Sequence, residues 1–146
     1  MVSTPPPCRI ESRDVDRVFL DANVLFSAAY RSGSGLLRLW DVPRVVLVTS
    51  DYAIEEAQRN LPHAAQRAAL ERLLERAEIV RGTFDTVPLP PSVRLPDDDM
   101  PILRAAIAAR CTYLLTGNLR DFGPYLDAAV GGVAIERPAT FLAKRV

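Results

Sequence analysis

The chain has few of the residues that most enzymes use for thiol, zinc or imidazole chemistry. Among 146 residues there is one histidine, His63, and there are two cysteines, Cys8 and Cys111, in unrelated contexts. No close cysteine pair is present to hold zinc or frame a disulfide, so both thiols are expected to be reduced. A histidine-rich metal site is excluded, and His63 beside Pro62 reads as a surface or helix-start residue. Lysine is almost absent: Lys144 stands alone, and every other basic residue is arginine. The 18 basic and 18 acidic residues cancel, so no global field draws the chain to nucleic acid, and any such surface must be local. No run approaches the roughly 20 apolar residues of a membrane span. The N-terminus MVSTPPPCRIESRD also lacks an apolar signal core. A soluble, cytoplasmic protein without membrane contact is expected. A phosphate-cradling glycine loop is missing too, because GSG at Gly33 to Gly35 lacks a third glycine and follows a helix-like run. That stretch reads as a turn between helices.

What is present is apolar material in short alternating blocks. Hydrophobic residues make up 49% of the chain, enough for one domain with a substantial core. Residues 1–15, with the Pro5 to Pro7 triplet, read as a flexible or extended leader, and residues 16–146 as a single domain. Candidate strands are Arg17 to Leu20, Val45 to Thr49, Ile79 to Val80, Tyr113 to Thr116 and Val133 to Ile135. Helix-like stretches fall at Asn23 to Tyr30, Gly35 to Trp40, Tyr52 to Asn60, Ala64 to Ala77, Met100 to Arg110 and Leu119 to Leu126. Strand and helix alternate. The fold class this predicts is α/β, a three-layer α/β/α sandwich with a central, mainly parallel sheet. In the Ala64 to Ala77 helix the stripe Ala65, Ala68, Ala69, Leu73 and Ala77 is expected to face the core. The proline-rich Thr86 to Pro96 segment reads as a surface loop.

In a right-handed βαβ unit, helix starts and strand ends gather at one edge of the sheet, where ligands bind. Four polar features map there: Asp21 and Asn23 after the first strand, Glu55 and Glu56 early in the next helix, the triplet Asp97 to Asp99, and TGNLRD from Thr116 to Asp121. Glu55 and Glu56 lie about 100° apart around a helix, and periodicity does not choose between them. Asp99 lies three and four residues before Ile102 and Leu103, which puts it on the sheet side. Asp97 and Asp98 are left as caps or solvated charges. Carboxylates gathered this way raise one another's pKa unless a cation intervenes. Oxygen ligands without histidine or thiolate suit magnesium or manganese, and metal-assisted phosphodiester hydrolysis is the matching chemistry.

These blocks resemble a known family. VFLDANVLFSAAYRSGSGLLRLW, VVLVTSDYAIEEAQRNL and LPDDDMPILRAAIAARCTYLLTGNLRDF are similar to the PIN domain family, in particular the toxin-like ribonucleases of bacterial toxin–antitoxin modules. The resemblance runs from Val18 to Phe122. It implies a PIN-like fold over residues 16–146, a Mg2+ or Mn2+ cofactor, cleavage of single-stranded RNA, a cognate antitoxin partner and a homodimer. Carried over by position, the acids are Asp21, Glu56 in preference to Glu55, and Asp99. The fourth acid of many members falls on Asn118, which offers an oxygen without negative charge. Asp121 either supplies that charge or caps the following helix. The resemblance thus implies Asp21, Glu56, Asp99 and Asp121 as catalytic, and Asp21, Glu56, Asp99 and Asn118 as metal ligands. Asn23, Thr116 and Asn118 would touch substrate or support the ligands. Arg31, Arg38, Arg59 and Arg120 are candidate phosphate contacts. A partner is expected along Asn23 to Trp40, where Leu36, Leu39 and Trp40 look exposed.

Other acid-edged folds match less well. A receiver-type phosphoacceptor domain needs an acidic pair after the first strand and a late lysine. A haloacid-dehalogenase-type phosphatase needs an aspartate where Asn23 stands. The rival from another class is a catalytically weak PIN-like module that binds RNA or protein, and Asn118 is the feature in its favour.

Overall fold

The structure, a computed structural model, describes residues 15–145. The expected leader therefore lies outside the described residues, apart from Val15. Among the described residues six strands form one sheet: β1 Asp16–Leu20, β2 Val45–Ser50, β3 Glu78–Val80, β4 Tyr113–Leu115, β5 Ala129–Val130 and β6 Val133–Glu136. They lie in the order β3-β2-β1-β4-β6-β5. β1 pairs in parallel with β2 and β4, β2 with β3, and β4 with β6. Only β5 runs antiparallel, against β6. The helices are α1 Ala22–Tyr30, α2 Asp51–Asn60, α3 Ala64–Leu74, α4 Met100–Ala108, α5 Leu119–Phe122 and α6 Pro138–Ala143, with 3-10 turns at Gly35–Asp41 and Gly123–Tyr125.

Successive strand residues point to opposite faces. Val18, Phe19 and Leu20 of β1 are nevertheless all fully buried, as are Leu114 and Leu115 of β4. Both faces of the sheet are therefore covered by helices, as the predicted three-layer α/β/α sandwich requires. The chain leaves β1 toward β2 on one side and returns to β4 on the other. The crevice between β1 and β4 is thus the switch point of the sheet. There the Asp21 amide donates to the Leu115 carbonyl at 3.1 Å, carrying the ladder just past the strand ends.

Several local expectations differ from what folds. α3 stops at Leu74 and buries Leu70, whereas Ala65 stays exposed. Ala69, Leu73 and Ala77 of the expected stripe do pack half-buried against the core, but the fully buried position is Leu70, because one leucine removes more apolar surface from water than a methyl group. Leu39 and Trp40 are buried, not exposed, and the Trp40 indole Nε1 donates to the Leu73 carbonyl at 3.0 Å. The Leu119 to Leu126 stretch breaks after Phe122 into a 3-10 turn that carries Pro124 near its start. β5 and α6 are additional elements. β5 joins β6 through Gly131 and Gly132, whose φ values of 58° and 85° are left-handed and suit a two-residue hairpin turn. The Thr86 to Pro96 loop is anchored by buried Leu95 and by the Arg94 amide, which donates to the Tyr125 hydroxyl at 2.6 Å. Cys111 is a free, buried thiol whose pKa burial pushes up to about 12. It is a core residue and no nucleophile.

Candidate active site

The site grows out of the crevice between β1 and β4. Asp21 directly follows β1 and caps α1. Its Oδ1 accepts from the Ala22 amide at 2.7 Å, and its Oδ2 accepts from the Thr116 hydroxyl at 2.7 Å and from Asn23 Nδ2 at 3.3 Å. Only 4% of Asp21 is exposed. Burial raises its pKa, and these three hydrogen bonds oppose the rise without cancelling it. Thr116, just past β4 and fully buried, also accepts from the Asn118 amide at 3.0 Å. Asn23 Oδ1 accepts from the Gly117 amide at 2.8 Å. A Cβ at Gly117 would approach that oxygen to 3.3 Å, so the small residue permits the close approach. Asn23 and Thr116 thus tie the two strand ends together and hold the Asp21 carboxylate in one orientation.

Glu56 comes from α2. Ser50 caps this helix, accepting from the Ala53 amide at 3.1 Å, and Ala53, Ala57 and Leu61 are buried. That choice of core face turns Glu56 toward the crevice and leaves Glu55 exposed against a separate surface depression. Burial raises the Glu56 pKa, with the Asp21 charge next in importance. Asp99 stands directly before α4, but its side chain makes no cap bond; it accepts from Asn118 Nδ2 at 3.3 and 3.4 Å. Its pKa is pushed up to about 7, first by burial, then by a hydrogen bond shared with the Asp121 carboxylate and by repulsion from Asp121, Asp21 and Glu56. The same shared bond lowers Asp121. Asp97 and Asp98, expected as caps or solvated charges, are exposed and cap nothing among the described residues. The Tyr52 hydroxyl donates to the Asp98 carbonyl at 3.0 Å and pins this turn to α2.

These groups border one cavity of about 380 Å³, lined by Asp21, Ala22, Asn23, Phe26, Glu56, Asn60, Asp99 and Asn118. Asp121 does not line it. It sits within α5, where its carboxylate accepts from Asn118 Nδ2 at 3.0 Å and lies 3.5 Å from Arg120 Nε. Asn118 caps α5, its Oδ1 accepting from the Asp121 amide at 3.3 Å. Its oxygen is thereby engaged, and its amide hydrogens join the two aspartates. Phe26, Asn60 and Tyr52 were not among the expected site residues. Asn60 was readable as the residue four after Glu56, on the same face of α2, and Phe26 as three after Asn23 on α1.

Asp21, Glu56 and Asp99 carry only oxygen donors, and none of them forms an ion pair among the described residues, Arg59 only partly offsetting the rise at Glu56. That chemistry fits a hard divalent ion. As the side chains stand, no three acids, histidines or cysteines among the described residues are drawn together closely enough to enclose an ion.

A parallel α/β/α sandwich with unpaired acids at its switch point defines an acid-edged site class suited to a metal-assisted hydrolase. The chain belongs to the PIN domain family, whose sequence model matches residues 17–120. No curated protein matches it by sequence. Among solved structures it is similar to a chain of VapBC2 from Rickettsia felis, solved bound to a DNA fragment from their promoter. That match has a TM-score of 0.61 and 14% identity over 83% of this chain and 98% of that one. It is also similar to Mycobacterium tuberculosis VapC20, a sarcin-ricin loop cleaving toxin. Here the TM-score is 0.49 and the identity 18% over 66% of this chain and 86% of that one.

Proposed function

We propose that the chain is a divalent-metal-dependent ribonuclease that cleaves single-stranded RNA and serves as the toxin of a toxin–antitoxin pair. The observation that carries this is the convergence of Asp21, Glu56 and Asp99, all with raised pKa and none in an ion pair among the described residues, on one cavity at the switch point of a PIN fold. Such an arrangement costs the fold stability and is offset when a cation enters. Asp21, Glu56 and Asp99 would hold Mg2+ or Mn2+. The bound ion supplies neutralising charge for a phosphodiester and acidifies water. Thr116 and Asn23 keep Asp21 aimed into the cavity, and Asn118 with Asp121 sets the orientation and charge of Asp99. The toxin role and a cognate antitoxin are supported by the motif resemblance, and a homodimer follows from the same likeness.

Cleavage of single-stranded RNA in excess magnesium or manganese tests the reading. Asp21→Asn and Asp99→Asn are each expected to lower the rate by at least about a hundredfold. Undiminished cleavage by both would sink it. If the unaltered protein cuts no single-stranded RNA and gains no stability from millimolar manganese, the binding-module reading that Asn118 favours replaces it.

A further inference from the structure

Phe26 borders two cavities. On one side is the acidic cavity, and on the other a wider groove of about 820 Å³ follows α1 between the 3-10 turn and α6. Leu36 and Leu142 contribute apolar surface to this groove, while Arg31 and Arg38 line it from the ends of α1 and the 3-10 turn; no acidic residue lines it. The Phe26 and Tyr30 rings, one helical turn apart, lie 5.2 Å from each other with planes inclined at 33°. Tyr30 is 46% exposed, more than any large apolar side chain of the core would be. The Arg31 and Arg38 guanidiniums are exposed and form no hydrogen bond or ion pair among the described residues.

An acidic cavity repels the phosphates of the strand it is to cut, and a chain of zero net charge offers no distant attraction to compensate. The attraction must come from cations close by, and Arg31 and Arg38 are unneutralised on the groove that opens beside Phe26. Single-stranded RNA is held by unpaired bases stacked on aromatic rings while arginines follow the phosphates. We infer that this groove binds the RNA strand flanking the scissile phosphate, with unpaired bases stacking on the Phe26–Tyr30 pair and the intervening phosphates meeting Arg31 and Arg38. The assignment rests on the ribonuclease reading, since a strand leaving the acidic cavity past Phe26 enters the groove directly. A duplex, whose bases are already stacked and paired, cannot use the aromatic pair.

The test measures fluorescence anisotropy in EDTA, so that no cleavage intervenes. The probes are a fluorescein-labelled oligouridylate of about ten nucleotides, within the usual site sizes for such binding, and an abasic strand of equal length. Tyr30→Ala and Arg38→Ala are each expected to weaken oligouridylate binding about tenfold, with unchanged melting temperatures because both side chains are exposed. The abasic strand is expected to bind more weakly than oligouridylate and to ignore Tyr30→Ala. Unchanged affinity in both variants overturns the inference. So does an equal loss in Arg81→Ala, which lies on a surface depression that shares no residue with this groove and would mark diffuse attraction. So, too, does a concentration-dependent dimer that Tyr30→Ala dissociates without affecting RNA, since the groove would then be a self-interface. A protein that binds oligouridylate through Tyr30 but cuts nothing rejects the nuclease reading and keeps the groove. One that cuts while the variants bind normally does the reverse.

Discussion

The two edges of the sheet both carry carboxylates, and they treat them in opposite ways. Where the strands begin, Arg17 clasps Glu78 through two hydrogen bonds of 3.0 and 2.6 Å, and Arg145 reaches Asp16 at 2.8 Å. The Arg17 bond holds the Glu78 carboxyl below its ordinary range. Where the strands end, Asp21, Glu56 and Asp99 share a cavity with no ion pair to any of them among the described residues; burial lifts all three, and repulsion from neighbouring acids adds to the rise of Glu56, which Arg59 only partly offsets, and of Asp99. Glu136 shows that this contrast is not one of position alone. It closes β6 at the same edge, yet Lys144 pairs with its Oε2 at 2.7 Å, and the opposite oxygen is buried without a hydrogen-bond partner among the described residues. Acids that hold the scaffold together have been given cations; acids that remain unpaired and face a common space are the ones available to a ligand.

The contrast is sharpest in function. Asp99→Asn is expected to lower metal-dependent RNA cleavage by at least about a hundredfold, while in EDTA at pH 8 its melting temperature rises. The amide reproduces the hydrogen bonding of a protonated carboxyl toward Asp121 and removes a repelled charge. Loss of both activity and stability would show that Asp99 belongs to the scaffold. Next in size is the response to metal. Manganese at tenfold over its dissociation constant is expected to stabilise the protein by about 1.4 kcal/mol, measured by urea unfolding, and Asp99→Asn should lose most of that gain. Equal gains in the two proteins would place the ion elsewhere.

The edges should also differ in the sign of their pH dependence. Asp21, Glu56 and Asp99 have folded pKa values above their unfolded ones, so through the weakly acidic range the folded state binds more protons. Their contribution is present at low pH and is lost as pH rises through the folded values, about 7 for Asp99. In EDTA the urea midpoint is therefore expected to be higher near pH 5 than near pH 8, with a shallower decline in Asp99→Asn. A midpoint that rises over this range would contradict the assignment. Glu78 works in the other direction: its contribution is present above its ordinary range and is lost as pH falls. The smallest effect is its removal. Glu78→Gln is expected to cost no more than about 1 kcal/mol, because both side chains of this pair are substantially exposed, and to leave cleavage intact.

Much of the frame was legible because its signals are local. Runs such as VFL and VVLV, separated by helix-length amphipathic stretches, specify a parallel sheet with helices on both faces. Asp21 at a strand end and Asp99 before Ile102 and Leu103 could be placed at the ligand edge from spacing. Other features follow a different period from the one their sequence suggests. Leu39 and Trp40 look exposed on a helix of 3.6 residues per turn, but their segment is a 3-10 turn with about three, which rotates them into the core. The β5–β6 hairpin was announced by the Gly131 and Gly132 pair between valines, and α6 by Pro138, but both elements are too short for periodicity to show. The choice of Glu56 over Glu55 lay beyond periodicity, since either face of α2 carries apolar residues.

By itself the sequence determined which acids come to the ends of strands and starts of helices, because strand period, helix period and capping act over a few residues. Only the tertiary structure decided which of those acids would be left without a cation. Arg17 meets Glu78 across 61 residues, and Thr116 meets Asp21 across 95. Such meetings depend on strand order: placing β4 beside β1 brings Thr116 to Asp21, while β3 beyond β2 delivers Glu78 to Arg17. The charge on an acid is written in one residue, but its pKa belongs to whatever the fold sets beside it.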